Sequence, residues 1–93
     1  MEELHLICRK NNGVNKTTSG FTSEAWKLNE KRLKLGMPIH LRDNWSTEPY
    51  LSGILIGVRN IDNRVVLVCD NTNEITTNIK VRAFGEKRYF KKT

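Results

Sequence analysis

Three apolar runs lie almost end to end between Gly36 and Asp70: MPIHLR, LSGILIGVR and RVVLVCD, parted by polar segments. Strand side chains alternate with a period of two. On that period Ile54, Ile56 and Val58 share one face of the middle run, and Leu51, Gly53, Leu55 and Gly57 share the other. In the third run Val65, Leu67 and Cys69 oppose Val66 and Val68. Few polar side chains interrupt either run, which points to burial on both faces or nearly so. Asn60-Ile61-Asp62-Asn63 between them is rich in residues that tolerate turn conformations. The pair is expected to form an antiparallel hairpin and the centre of the fold.

The fold class expected is mainly β (α+β): a small antiparallel β-barrel or strongly bent sheet with one or two short helices. The 93 residues form a single domain, 1–93, with a modest core and no room for a second. Glu3–Arg9 reads as an opening strand. The polar run from Lys10 to Gly20 reads as a loop, long enough in so small a domain to raise a functional role. Residues 21–28 admit two readings: a helix capped by Thr22, or a strand, Glu24–Leu28, carrying Trp26 and Leu28 inward. The strand is preferred, because Asn29 then caps a short helix, EKRLKL, that Gly36 ends. Trp26 is expected to be structural. Ile75–Ala83 reads as a further, half-exposed strand.

Gly53 and Gly57 fall on one face of the middle run. A glycine inside a strand marks a bend, a bulge or the close approach of another group. The bend is the simpler reading. The sharper one is a flat ligand approaching Gly53 beside Trp45 and Tyr50, which sit in the connecting segment DNWSTEPY. Those two aromatics either fold back as a lid on the core or offer flat faces to a ligand.

Reactive motifs are absent: there is no GxSxG, HExxH, Walker loop or GxGxxG. No catalytic residue is assigned, and a binding module is expected rather than an enzyme. Cys8 and Cys69 sit in apolar runs and are expected as small core residues. His5 and His40 stand far apart, with no metal-ligand spacing, so no metal and no other cofactor is expected. No apolar run approaches the length of a membrane span, and MEELHLICRK lacks the basic start of a signal peptide. A cytoplasmic protein without a membrane partner is expected, and its oligomeric state is unreadable.

Charge is the feature that speaks to partners. The chain carries a net +6, and residues 80–93 hold Lys80, Arg82, Lys87, Arg88, Lys91 and Lys92 against Glu86. A local excess of this kind favours a polyanion. Phe84, Tyr89 and Phe90 interleave with these cations, and aromatic rings among phosphate-binding groups are what unpaired bases stack on.

The layout SEAWKLN, NEKRLKLG, GMPIHLR and LSGILIGV resembles that of the PUA-like superfamily, within it the EVE and YTH type of domain. The likeness covers roughly residues 4–58. It implies a small β-barrel that binds RNA or DNA, sometimes through a modified base in an aromatic pocket, and no catalysis. The expected function is a non-catalytic nucleic-acid-binding module for single-stranded or modified RNA or DNA. Its binding residues would be Lys80, Arg82, Lys87, Arg88, Lys91 and Lys92, with Trp45, Tyr50 and Tyr89 as stacking or pocket residues. The alternative is a small protein-interaction or inhibitor module, of accessory or phage type, that binds an acidic protein surface.

Overall fold

A computed structural model describes residues 2–9, 13–70 and 87–91. The expected hairpin is present. β5 (Leu51–Ile61) and β6 (Arg64–Asp70) pair antiparallel through Asp62 and Asn63, whose φ values are 49° and 63°. Two successive positive-φ residues make the mirror-image turn whose twist matches that of paired strands. β4 (Pro38–Arg42) pairs antiparallel with the far side of β5, and Pro38 opens it, where a missing N–H is tolerated.

Four more strands complete the sheet around this centre. β1 (Glu2–Ile7) runs parallel to β4, and β7 (Lys87–Lys91) lies antiparallel outside β1. β3 (Gly20–Trp26) pairs with β6, and β2 (Val14–Lys16) with β3. The order is β2-β3-β6-β5-β4-β1-β7, so the fold is one mainly β, mixed sheet. Among the described residues β2 and β7 are its edges, and it does not close into a barrel.

The sheet is nonetheless strongly rolled. β1 and β3 stand four strand spacings apart, which in a flat sheet is about 19 Å. Yet Cys8, just past β1, brings its Sγ within 3.7 Å of Ser23 Oγ on β3. The concave face of the roll is the core: Leu4, Leu6, Phe21, Ile39, Leu41, Leu55, Leu67 and Cys69 are all buried there. Trp26 packs half-buried against this core and donates from Nε1 to Ser23 Oγ at 2.8 Å, as its structural reading requires. Cys8 and Cys69 are buried thiols, not bridged to each other.

Several local expectations are corrected. The 10–20 stretch contains β2, which Val14, Asn15 and Lys16 form against Ser23, Thr22 and Phe21. The pairing β1–β4 is parallel, which makes an otherwise antiparallel sheet mixed. The strand expected at Glu24–Leu28 lies earlier, at Gly20–Trp26, and Asn29 does cap the turn after it: its Oδ1 accepts from Lys31 N at 3.1 Å. The helix itself is a single 3-10 turn, Glu30–Arg32. Gly36 occupies the left-handed region at φ 91° and donates its N–H to Leu55 O at 2.8 Å.

The two glycines of β5 do not share a face. The register shifts between Leu55 and Gly57, so Gly57 opposes Val68 and Val58 opposes Leu67. A bulge of this kind reverses the alternation beyond it, which turns Val58 onto the core. At Gly53 the close approach is internal. A Cβ there would lie 2.5 Å from Asp70 O and 2.8 Å from Cε1 of Phe21. The residue that needs the space is a core phenylalanine. Expected features at 71–86, the strand 75–83 among them, lie outside the described residues.

Candidate functional site

Two regions concentrate charged groups. The first is the face of β1 and β4 opposite the core. Alternation puts Leu4 and Leu6 inward and therefore Glu3 and His5 outward; on β4, Ile39 and Leu41 face in and His40 and Arg42 face out. The parallel register aligns His5 with His40. Their rings stack at 4.7 Å between centroids, with 30° between planes. All four polar residues are buried.

Hydrogen bonds order this cluster. Arg42 Nε donates to His5 Nδ1 at 3.0 Å. His5 Nδ1 is therefore an acceptor, so the neutral ring carries its proton on Nε2 and donates it to Glu3 Oε1 at 2.7 Å. Arg42 Nη1 also reaches Thr47 O, and His40 Nδ1 shares a hydrogen bond with Ser52 Oγ at 2.7 Å. Burial lowers the Arg42 pKa from its very high ordinary value, against the pull of Glu3 and Glu48.

Ligand atoms of Glu3, His5 and His40 all lie within 4.8 Å of one another, a grouping the sequence spacing did not reveal. The hydrogen bonds do not suit a metal. Coordination through His5 Nε2 would move the ring proton to Nδ1, where it would meet the Arg42 N–H. Nor does the line Ser52–His40–Glu3 make a relay of the kind that activates a hydroxyl. His40 Nε2 is 3.8 Å from Glu3 Oε2, beyond hydrogen-bond range. What the cluster does is hold β1 to β4 in register.

The His5 pKa is lowered, chiefly by burial and further by Arg42, with the Glu3 hydrogen bond opposing. Among the described side chains Glu3, His40 and Arg42 face it, and Arg88 is its register partner on β7. The unfolded chain, with an ordinary histidine near pH ~6.5, then binds a proton that the folded chain resists. Stability should be full above that pH and fall as pH drops below it. Urea midpoints across pH 5 to 8 should show this slope, and His5→Gln should flatten it.

The second region is the edge where β7 meets β1. Lys87, Arg88 and Lys91 lie on β7, opposite Leu6, His5 and Glu2 in the backbone register. Lys80, Arg82 and Lys92 lie outside the described residues. The fold adds a basic group that the reading of the tail missed. Arg32, on the 3-10 turn, donates from Nη2 to Glu2 Oε2 at 2.9 Å and from Nε to Oε1 at 3.3 Å. Its guanidinium lies 4.0 Å from the centroid of the Tyr89 ring. Lys31 and Lys34, which flank Arg32 in the chain, are exposed. The ion pair holds the Glu2 carboxyl below and the Arg32 guanidinium above their ordinary pKa values.

The three aromatics have different fates. Tyr89 is half-buried, packs against the core and has its Oη buried with no hydrogen-bond partner among the described residues. Burial raises its pKa. Tyr50 donates its hydroxyl to Cys8 O at 2.7 Å, which folds the 43–50 segment back over the end of β1; burial first, then nearby groups, push its pKa to about 12. Trp45 is half-buried in the same segment. Trp45 and Tyr50 are thus on a different segment from Tyr89. Comparison with protein-family models, curated proteins and solved structures returned no match. Among the described residues no helix is long and apolar enough to cross a membrane.

Proposed function

We propose that the chain is a non-catalytic module that binds nucleic acid along the edge formed by β7 and the 3-10 turn. One observation carries the reading. Arg32 grips both Glu2 of β1 and Tyr89 of β7, which sets Lys31 and Lys34 next to the basic strand Lys87–Lys91. Two basic segments remote in sequence become one edge, and phosphates supply most of the affinity such a surface can gain. The net charge of +6 and the layout that resembles PUA-like domains support the same reading. The buried thiols accord with the reducing cytoplasm as its setting.

The test is binding of short single-stranded RNA and DNA at two salt concentrations. Each lost phosphate contact should reduce the slope of log affinity against log salt by ~0.7. Lys87→Gln with Arg88→Gln should therefore weaken binding at low salt and flatten its salt dependence. Parent-like binding by this double variant would overturn the assignment. So would retention of one acidic protein, rather than nucleic acid, on the parent chain but not on the double variant after nuclease treatment.

A further inference from the structure

Beside the 3-10 turn lies a hollow of about 570 Å³, lined by Glu2, Lys31, Arg32, Lys34 and Met37. We infer that it receives one unpaired nucleobase of a bound strand and favours a base whose edge is rich in N–H donors, guanine above all. The inference rests on the nucleic-acid reading above and gives that surface its selectivity.

The volume falls in the range of small-molecule sites. Lysine and arginine bring apolar stems below charged heads, and Met37, 1 % exposed, belongs to the buried core that backs the site. A flat apolar group fits such walls, and anions fit the rim, where Lys31 and Lys34 are exposed. A nucleotide is both at once.

Arg32 supplies a stacking surface. The central carbon of its guanidinium sits 4.0 Å from the Tyr89 ring centroid, while the side chain remains 52 % exposed. Planar guanidinium groups stack on bases as they do on aromatic rings. Glu2 supplies the choice among bases. Each of its carboxylate oxygens accepts one bond from Arg32, and its side chain is 41 % exposed. Ionised carboxylates have about four lone-pair sites, so both oxygens can accept again. Guanine presents adjacent N–H donors at N1 and N2, matched to two oxygens. Thymine offers a single one.

The experiment is an NMR titration of the full chain, labelled at the methionine methyls, with two single-stranded DNA octamers: all thymine, and thymine with one central guanine. The Met37 methyl, assigned with Met37→Leu, should shift with the guanine octamer. The parent should bind that octamer at least about five-fold more tightly, and Glu2→Gln should bring the ratio of the two affinities to one. If both octamers bind with the expected salt dependence but the Met37 methyl stays fixed and the two affinities are equal, the base site is wrong and the nucleic-acid surface stands. If neither octamer binds, both readings fall.

Discussion

Arg42→Met is expected to remove about 3–5 kcal/mol of stability, because it takes the cation out of a buried cluster that also holds a carboxylate. Arg42 is 4 % exposed and Glu3 2 %, and the histidine between them links the two through its ring nitrogens. Methionine fills much of the arginine's volume, so the loss would come from charge and hydrogen bonding rather than from an empty space. Glu3 would keep its charge without the Arg42 cation, and His5 Nδ1 and Thr47 O would each lose a donor. Urea denaturation measures the loss as a lower midpoint at constant slope. Adding Glu3→Gln to Arg42→Met should recover part of it, since the double change removes the opposite charge of the cluster as well. A loss below about 1 kcal/mol would show that the pair behaves like one at the surface.

Phe21→Ala should cost a similar amount, about 3–5 kcal/mol, for a different reason. Phe21 is fully buried on β3 and fills the space above Gly53 on β5, two strands away. Removing the ring leaves a cavity at the centre of the rolled sheet. A methyl offered from the other side cannot fill it, because a Cβ on residue 53 would still sit 2.5 Å from Asp70 O, a backbone atom. Gly53→Ala should therefore fail to rescue Phe21→Ala, and should lower stability further. Thermal melts of the two single variants and the double variant decide the point; a rescue would mean that the β6 backbone yields at Asp70.

The centre of the fold was legible because its signals are local. The alternation in β5 and β6, the turn at Asp62-Asn63, the cap at Asn29 and the left-handed Gly36 each depend on a few neighbouring residues. β2 was missed because Val-Asn-Lys has no apolar period; it is strand because β3 lies beside it. The face of Val58 was misread because one bulged residue inverts everything after it, and the bulge has no composition of its own. The cluster Glu3, His5, His40, Arg42 was invisible because it depends on β1 lying parallel to β4 in one register. A slip of one position would exchange leucines for histidines. A polar pair inside the apolar alternation of ELHLICR, matched by HLR in PIHLR, was the available hint. The edge site was half legible: the basic tail is plain in composition, but its junction with Lys31 and Lys34 is made by Arg32, whose partners Glu2 and Tyr89 are remote in sequence.

The place of β1 also sets the order in which the chain can assemble. Leu4 has Ile39 on one side and Tyr89 on the other. The β5–β6 hairpin closes through two residues and can form in microseconds, whereas β1 has no sequence neighbour to pair with and closes long loops on both sides. Loop length alone therefore puts its docking, and with it the histidine–arginine network, after the hairpin. Contacts formed after the rate-limiting barrier leave the speed of folding almost untouched and govern the speed of unfolding. The polar cluster is in that sense a latch: it does little to find the native sheet and a great deal to keep the first strand from leaving it.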